Sequence, residues 1–252
     1  MDTQARDLVE LEQRFDLQAQ AVFRQRLQDT DRYEWAGAEA GVKRMLGLLD
    51  QPWDCFLLNG VSLADLPTEA QYKLLQAVSA GAGLVLVGAS DERVLKPANL
   101  LDPLPAFLAG DSSLQAYRAG QGRGVLLPAR PVLPYRPGWE VEWDYWMERV
   151  GRALLWAAGK EPRFQLQVSA PASPLTRSAV SGQSLRVSWT GPALPLRVEA
   201  RLRGSEGEVF PLAGRSSREG GSAGLTYALS AGLPAGPYHA DCIARSAQGV
   251  EA

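Results

Sequence analysis

The stretch from Trp53 to Ser90, WDCFLLNGVSLADLPTEAQYKLLQAVSAGAGLVLVGAS, constrains the fold more than any other part of the chain. It contains two short apolar runs, CFLL at 55–58 and LVLV at 84–87, and each run stops at a turn that contains glycine. Apolar runs without polar alternation are typical of strands that are covered on both faces. We therefore expect two buried strands here.

A helix is predicted between these two runs. Thr68 can cap its start, and Gln71 follows at the spacing of a capping box. Leu74 and Val78 recur on one helical face, and Gly81 is suited to a left-handed ending. Strand, helix and strand together predict a βαβ unit, the building block of a parallel sheet.

The rest of the first 160 residues alternates helical patterns with short strand patterns. Apolar spacing predicts helices at 4–15, 36–49 and 140–158, a short helix near 104–108, and strands at 17–23 and 124–127. Residues 128–139 contain four prolines and predict a loop. These elements favour an α/β fold with a flavodoxin-like parallel sheet.

The pattern changes after Pro162. From Phe164 onward the chain shows six short alternating runs between turn residues, FQLQV, LRVSW, LRVEARL, EVFPL, LTYALS and YHADCIA. Strands at this spacing are typical of an immunoglobulin-like β-sandwich. We therefore expect two domains, an α/β domain at 1–161 and an all-β domain at 162–252.

Composition excludes several classes of function. The formal net charge of the 252 residues is −2, with no basic stripe, which argues against nucleic-acid binding. No apolar run reaches the roughly 18 residues of a membrane helix, and the first residues lack the apolar core of a signal peptide. Cys55 and Cys242 are too few for a zinc site. We expect no metal, no cofactor and no membrane insertion.

Both ends suggest a piece of a longer protein. In a flavodoxin-like sheet the first strand is central, whereas this chain opens with a helical pattern. If 17–23 is the second strand, the first would have preceded Met1. The chain also stops at QGVEA, where a sandwich is expected to turn into its closing strand. We therefore expect truncation at both ends.

The residues of the βαβ stretch resemble the class I glutamine amidotransferase-like domains, in a subgroup found in large bacterial multidomain proteins of unknown function. The later GQGRGVLLPA and the Trp-rich helix ending in LLWAAGKEP are similar to the same subgroup, in which an Ig-like domain commonly follows. The resemblance covers roughly residues 7–162. It implies an extracytoplasmic location, in the periplasm or cell envelope, whereas the missing signal peptide points to the cytoplasm.

Active members of that family use a Cys on the elbow after a strand, activated by a His and a Glu. Here the elbow is Gly88-Ala89-Ser90, Cys55 lies in the preceding strand, and the one His of the chain is His239, in the all-β domain. The catalytic residues of the family therefore cannot be assembled. The resemblance implies a catalytically silent relative, and no catalytic residue is predicted.

A ligand crevice is predicted at the carboxyl ends of the two strands, where open α/β sheets bind ligands. Its candidate residues are Asn59, Ser62, Ser90 and Asp91. Ser90 lacks a neighbouring imidazole and is better suited to a turn than to nucleophilic attack. His239 is expected to be an exposed strand residue.

Three functions stay open. The first is a non-catalytic module that binds a protein or glycan partner, or serves assembly, in a larger protein. The second is a hydrolase or carbohydrate-active enzyme that uses carboxylates of Asp91, Glu92, Glu140, Glu142 and Asp144 near Ser90, although the acidic residues of the helix favour a solvated face. The third is a structural segment. Trp139, Trp143, Trp146 and Trp156 favour a core or interdomain contact over a sugar platform.

Overall fold

The computed structural model describes most of the chain. The described residues are 4–15, 17–27, 33–88, 94–109, 111, 113–129, 139–162, 165–171, 175–180, 182–191, 195–204, 208–219, 222–247 and 249–250. They form a mixed α/β protein with one four-stranded mixed sheet and further antiparallel sheets. The chain divides into two compact units, Met1–Val132 with Tyr145–Glu161, and Leu133–Asp144 with Pro162–Ala252.

The first unit contains the mixed sheet. Its elements are α1 (Gln4–Phe15), β1 (Arg24–Arg26), β2 (Tyr33–Trp35), α2 (Ala38–Leu49), β3 (Cys55–Asn59), α3 (Thr68–Ser79), β4 (Gly83–Val87), β5 (Gln115–Ala119), β6 (Gly122–Leu127) and most of α4 (Trp139–Ala157). The first residues of α4, 139–144, belong to the second unit. The strand order is β3-β4-β6-β5. The first three strands are parallel, and β5 is antiparallel to β6. The predicted βαβ unit is therefore present as β3, α3 and β4.

The two strands of this unit differ in burial. All five residues of β4 are buried, as predicted, whereas all five residues of β3 are only half-buried. The prediction that 55–58 is covered on both faces is therefore wrong in degree. The physical reason is position, because β3 is at the edge of the described sheet and β4 is inside it.

Apolar side chains from α2, α3 and the sheet form one core on the first face of the sheet. This cluster includes Met45, Leu74, Val78, Leu84 and Leu86, and Phe56 and Leu58 of β3 pack against it. The opposite face carries α4, since a Cβ atom added at Gly83 would lie 2.5 Å from the carbonyl of Ala157. The sheet is therefore covered by helices on both faces, which explains its apolar strands.

The predicted cap of α3 is wrong. Thr68 is the first helical residue, Pro67 precedes it, and no side chain caps the helix. The Gln71 side chain instead donates to the Leu66 carbonyl at 2.8 Å. Gly81 does adopt a positive φ of 126° just after the helix, as predicted.

Residues 17–23 form no strand, so this prediction is also wrong. The alternation in this segment ends in β1, which pairs with β2 as a separate two-stranded antiparallel sheet. The sequence of 91–121, rich in Pro, Leu and Ala, predicts irregular structure, which is wrong for 115–119, because these residues form β5. The predicted helix near 104–108 is a single 3-10 turn at Ala106–Leu108.

Helix α4 agrees with the predicted helix to within one residue at each end. Trp143, Trp146, Met147, Val150 and Trp156 are buried, which confirms three of the four tryptophans as core residues. Phe15 of α1 packs against this helix at Gly151, where an added Cβ would meet its ring. No described helix is long and apolar enough to span a membrane. Most of the Pro-rich loop at 128–139 lies outside the described residues.

The second unit contains two four-stranded antiparallel sheets. Its elements are β7 (Gln165–Ser169), α5 (Arg177–Val180), β8 (Ser184–Thr190), β9 (Arg197–Gly204), β10 (Val209–Leu212), β11 (Gly214–Glu219), β12 (Ser222–Ala228), β13 (Tyr238–Ser246) and β14 (Gly249–Val250). The strand orders are β10-β9-β13-β14 and β11-β12-β8-β7.

Both sheets contribute to one core. Val187 comes from β8, Val198 from β9, Tyr227 from β12 and Ala244 from β13. The Tyr227 hydroxyl donates to the Val198 carbonyl at 2.8 Å and so links the two sheets. All six predicted runs form strands in the described residues. The stretch SSREGGSAG at 216–224 predicts a hairpin-like loop, which is wrong for 216–219 in β11 and for 222–224 in β12.

Candidate functional site

The carboxyl end of β3 is the predicted crevice. Asn59 is the last strand residue and is half-buried. Gly60 follows with a φ of 65°, and its N–H donates to the Val87 carbonyl of β4 at 3.0 Å. Ser90 and Asp91, the other half of the predicted crevice, lie outside the described residues. The structure therefore describes Asn59 and Ser62, and the crevice itself stays a prediction.

Ser62 is part of a capping box. It precedes a 3-10 turn at Leu63–Asp65, and the Asp65 carboxylate accepts its backbone N–H at 2.9 Å and its hydroxyl at 2.8 Å. The spacing of a Ser and an acidic residue three positions on explains the local fold. Because the Ser62 hydroxyl donates to a carboxylate within its own turn, its role here is structural.

Arg24 of β1 extends this site. Its guanidinium lies 3.0 Å from the Asp65 carboxylate, and its side chain is 21% exposed. The guanidinium carbon also lies 5.2 Å from the ring centroid of Tyr33 and 5.8 Å from that of Trp35. The β1–β2 hairpin therefore places a cation beside two aromatic rings next to the carboxyl end of β3. We call Arg24, Tyr33, Trp35, Ser62 and Asp65 the hairpin site.

The electrostatics of the hairpin site keep its carboxylate ionised. Bonds from the backbone N–H and hydroxyl of Ser62, together with the nearby Arg24 cation, lower the pKa of Asp65. A carboxylate held in its charged form by three donors is a poor proton acceptor. The site therefore offers charge and aromatic surface, and no general base is described in it.

Cys55 is the one thiol of the first unit, and it does not lie at this site. It is a free cysteine at the start of β3, at the opposite end of the strand from Asn59. Burial raises its pKa to about 12, and a smaller effect of a backbone hydrogen bond with Phe56 lowers it. Because the thiolate is the nucleophile, Cys55 is unreactive at neutral pH.

The acidic residues of α4 were a second predicted location for chemistry. Glu140 is exposed, as expected for a solvated face. Asp144 differs from that prediction, because its side chain is only 11% exposed and forms an ion pair with Arg203 of β9. Ser90, Asp91 and Glu92 lie outside the described residues, so the pairing of carboxylates near Ser90 stays a prediction.

A charged cluster of the second unit surrounds Asp241 of β13. Arg201 lies 3.0 Å from its carboxylate, Arg203 3.2 Å and His239 3.3 Å. The strand register explains this cluster, because His239 is opposite Arg203 and Asp241 is opposite Arg201. Sequence reasoning placed His239 on the surface, which is wrong, because its side chain is only 12% exposed. Opposite charges placed across two strands stabilise the sheet.

The described residues include neither a metal site nor a pocket with paired acid and base groups. Among the described residues, no group of three or more His, Cys, Asp or Glu side chains could hold a metal ion. An open groove of about 540 Å³ in the first unit is lined by Tyr72, Leu75, Gln76, Ser79, Ala80 and Gln121. Tyr72 is its single ionisable side chain, so this groove provides no acid–base pair.

Of the five residues of the hairpin site, only Ser62 was predicted from the sequence. Asn59 and Ser62 were predicted from their position after a strand. Arg24, Tyr33 and Trp35 were missed because strands of three residues give almost no periodic signal. The available signal was local, a Ser and an Asp at capping-box spacing in Ser62-Leu63-Ala64-Asp65.

Comparison with known proteins gives no match. No protein-family model, no curated protein and no solved structure is significantly similar to this chain.

Proposed function

We propose that this chain is a non-catalytic module of the glutamine amidotransferase-like class, joined to an Ig-like domain, that serves binding or assembly in a larger protein. A flavodoxin-like arrangement of the first unit and an Ig-like topology of the second are part of this proposal. The observation that carries it is Cys55, which lies inside β3 with a pKa raised to about 12.

The reason is chemical. Amide hydrolysis by this family needs a thiolate beside an imidazole. The thiol nearest to that role is protonated and part of a strand, and the chain has no His before His239. The Ser62 hydroxyl, the other described nucleophile at the carboxyl end of β3, donates to Asp65. Neither group is prepared for attack.

Enzyme assays test the catalytic half of the proposal. We expect no release of ammonia from glutamine and no hydrolysis of a panel of simple esters above the rate of buffer. We also expect Cys55→Ala to give the same traces as the wild type. Turnover by the wild type that Cys55→Ala abolishes would overturn the proposal.

For the binding half, we propose the hairpin site as the contact surface. Tyr33 is 55% exposed, although it lies beside a guanidinium. Tyrosine, tryptophan and arginine are the residues most enriched among binding hot spots. Protein partners and glycans both use exposed aromatic rings, so both classes are consistent with this surface.

Binding arrays of glycans and of peptides test this surface. A partner found on either array should lose affinity by about tenfold or more with Tyr33→Ala, the size of a typical hot spot. Tyr72→Ala is the matched control, because Tyr72 is also an exposed tyrosine of the first unit, at 68%, and lies on α3. Equal losses of affinity with the two variants would contradict the hairpin site as the contact surface.

A further inference from the structure

Strands β9 and β13 of the second unit pair over eight residues, and one face of this pair is charged. Val198 and Ala200 of β9 and Ala244 of β13 belong to the core. Since successive side chains of a strand point to opposite faces, the residues between them lie on the outward face. These are Arg197, Glu199, Arg201 and Arg203 of β9, and His239, Asp241, Ile243 and Arg245 of β13.

At one end of this outward face the charges are matched. Asp241 is the register partner of Arg201 and lies 3.0 Å from it, and Arg203 lies 3.2 Å from the same carboxylate. The Asp241 side chain is only 14% exposed. Opposite charges on facing residues of two strands stabilise the pairing, so this end explains itself by its contribution to the sheet.

At the other end two arginines face each other. Arg197 is the register partner of Arg245, which places their Cβ atoms about 5 Å apart. The Arg197 side chain is 81% exposed, and Arg245 is exposed as well. Glu199 lies 3.0 Å from Arg197 and supplies one carboxylate beside two guanidinium groups. Like charges directly opposite each other destabilise a sheet, so the same two strands break at this end the rule that they follow at the other.

We propose that Arg197 and Arg245 together bind an acidic side chain of a protein partner. Local rules of structure are broken most often at functional sites. A guanidinium presents parallel N–H groups that match a carboxylate, and a carboxylate between two guanidinium groups removes their repulsion. This inference goes beyond the proposed function and does not depend on it, because it assigns a surface other than the hairpin site.

The neighbouring charges favour a single carboxylate over a polyanion. Nucleic acids and heparin-like glycans carry rows of negative charge and are bound by continuous basic patches. Here Glu199 lies between Arg197 and Arg201 along β9, and Asp241 lies opposite Arg201. Each of these carboxylates repels the next charge of a polyanion that follows the strands. The arginine pair therefore fits one acidic group at a time.

An apolar side chain lies beside the arginine pair. Ile243 is two residues before Arg245, on the same face of β13, and its register partner is Glu199. It is half-buried, so part of its surface is open to a partner. We therefore expect an acidic residue that has an apolar neighbour, a combination that protein surfaces provide.

Binding of a short peptide to the full chain tests the proposal. The probe is acetyl-Leu-Glu-Leu-amide, and the same peptide with Gln in place of Glu is its control. In an NMR titration, the side-chain Nε–H signals of Arg197 and Arg245 should shift with the Glu peptide only. Equal shifts with both peptides, or no shift at about 10 mM of the Glu peptide, overturn the proposal. So does tighter binding of a heparin hexasaccharide to the same two arginines.

Two variants assign the binding to the arginine pair. Arg245→Gln removes one member, and Arg215→Gln is the matched control, because Arg215 is an exposed arginine of β11 whose register partner is Thr226. We expect Arg245→Gln to raise the dissociation constant of the Glu peptide at least about tenfold, since a charge-assisted contact is lost. Arg215→Gln should change it less than about twofold, because salt screens a distant charge. Equal effects of the two variants overturn the proposal.

The stability of the ligand-free protein provides an independent measurement. Because Arg197 and Arg245 repel each other when no anion is bound, Arg245→Gln should raise the urea midpoint of unfolding at low salt. The gain should shrink as salt is added and screens the charges. Arg215→Gln should leave the midpoint unchanged at both salt concentrations. A midpoint that Arg245→Gln lowers at low salt overturns the proposal.

Discussion

The neighbouring strands β3 and β4 have similar sequences and different environments. Both are five-residue, predominantly apolar runs, and their parallel register matches Cys55 with Gly83 and Asn59 with Val87. Strand β4 is fully buried between β3 and β6, whereas β3, at the edge of the described sheet, is half-buried. The difference teaches that an apolar run predicts a strand, but neighbours in the sheet decide how much of it is buried.

The sharpest test of this difference is to truncate one leucine in each strand. Leu86 of β4 is 1% exposed, and Leu58 is its partner on β3. We expect Leu86→Ala to lower the free energy of unfolding by about 3 kcal/mol and Leu58→Ala by about half as much, because less surface is buried. Urea unfolding followed by tryptophan fluorescence measures both values. Equal losses would show that the two strands are equally buried.

The first residues of the two strands provide a second test. A Cβ at Gly83 would lie 2.5 Å from the carbonyl of Ala157, so Gly83→Ala forces β4 and α4 apart. We expect a loss of about 2 kcal/mol, typical of overpacking. Cys55→Ala at the matched position of β3 should cost about 1 kcal/mol or less. A stable Gly83→Ala variant would contradict the close approach of the helix.

The pH dependence of stability tests the burial of Cys55. Its pKa is raised from 9.0 in the unfolded chain to about 12 in the folded protein. The unfolded chain therefore loses its proton first, and this stability is present below pH 9 and falls as pH rises toward 12. We expect a loss of about 1.4 kcal/mol from this group between pH 8 and pH 10.

Cys55→Ala is the control for this effect. Cys242, whose pKa is raised to about 11, remains in both proteins and contributes the same background. The slope of unfolding free energy against pH should therefore be shallower in the variant. Identical slopes in the two proteins would show that the Cys55 thiol is accessible to water.

The smallest effect is expected at the turn that follows β3. Ser62→Ala removes the hydroxyl that donates to the Asp65 carboxylate at 2.8 Å and should cost about 1 kcal/mol. Thr68→Ala is the matched control, because Thr68 caps nothing and its change should stay within about 0.5 kcal/mol. Thermal unfolding of the two variants separates them. A larger loss with Thr68→Ala would reverse the assignment of the caps.

The sequence predicted elements whose signal is local. Helix α4 was predicted because 19 residues of helical spacing give a strong pattern, and β4 because four apolar residues follow one another. Gly81 was predicted as a helix stop because glycine adopts a positive φ at no steric cost. For such elements the sequence pattern and the final structure coincide.

Pairing and contacts at a distance were not predictable in this way. Arg24 lies 3.0 Å from Asp65, although 40 residues separate them in the sequence. His239 and Asp241 alternate with apolar residues, which indicates a face exposed to water, and the arginines of β9 cover that face. A period of two residues identifies the face of a strand but not what lies against it.

The central claim is that the first unit lacks the chemistry of its proposed relatives because its thiol lies in β3 and not after β4. Ammonia release from glutamine, measured from pH 6 to pH 10 for the wild type and Cys55→Ala, tests it most directly. The account predicts no activity above buffer for either protein at any pH. Activity in the wild type that rises with pH and disappears in Cys55→Ala would contradict the account.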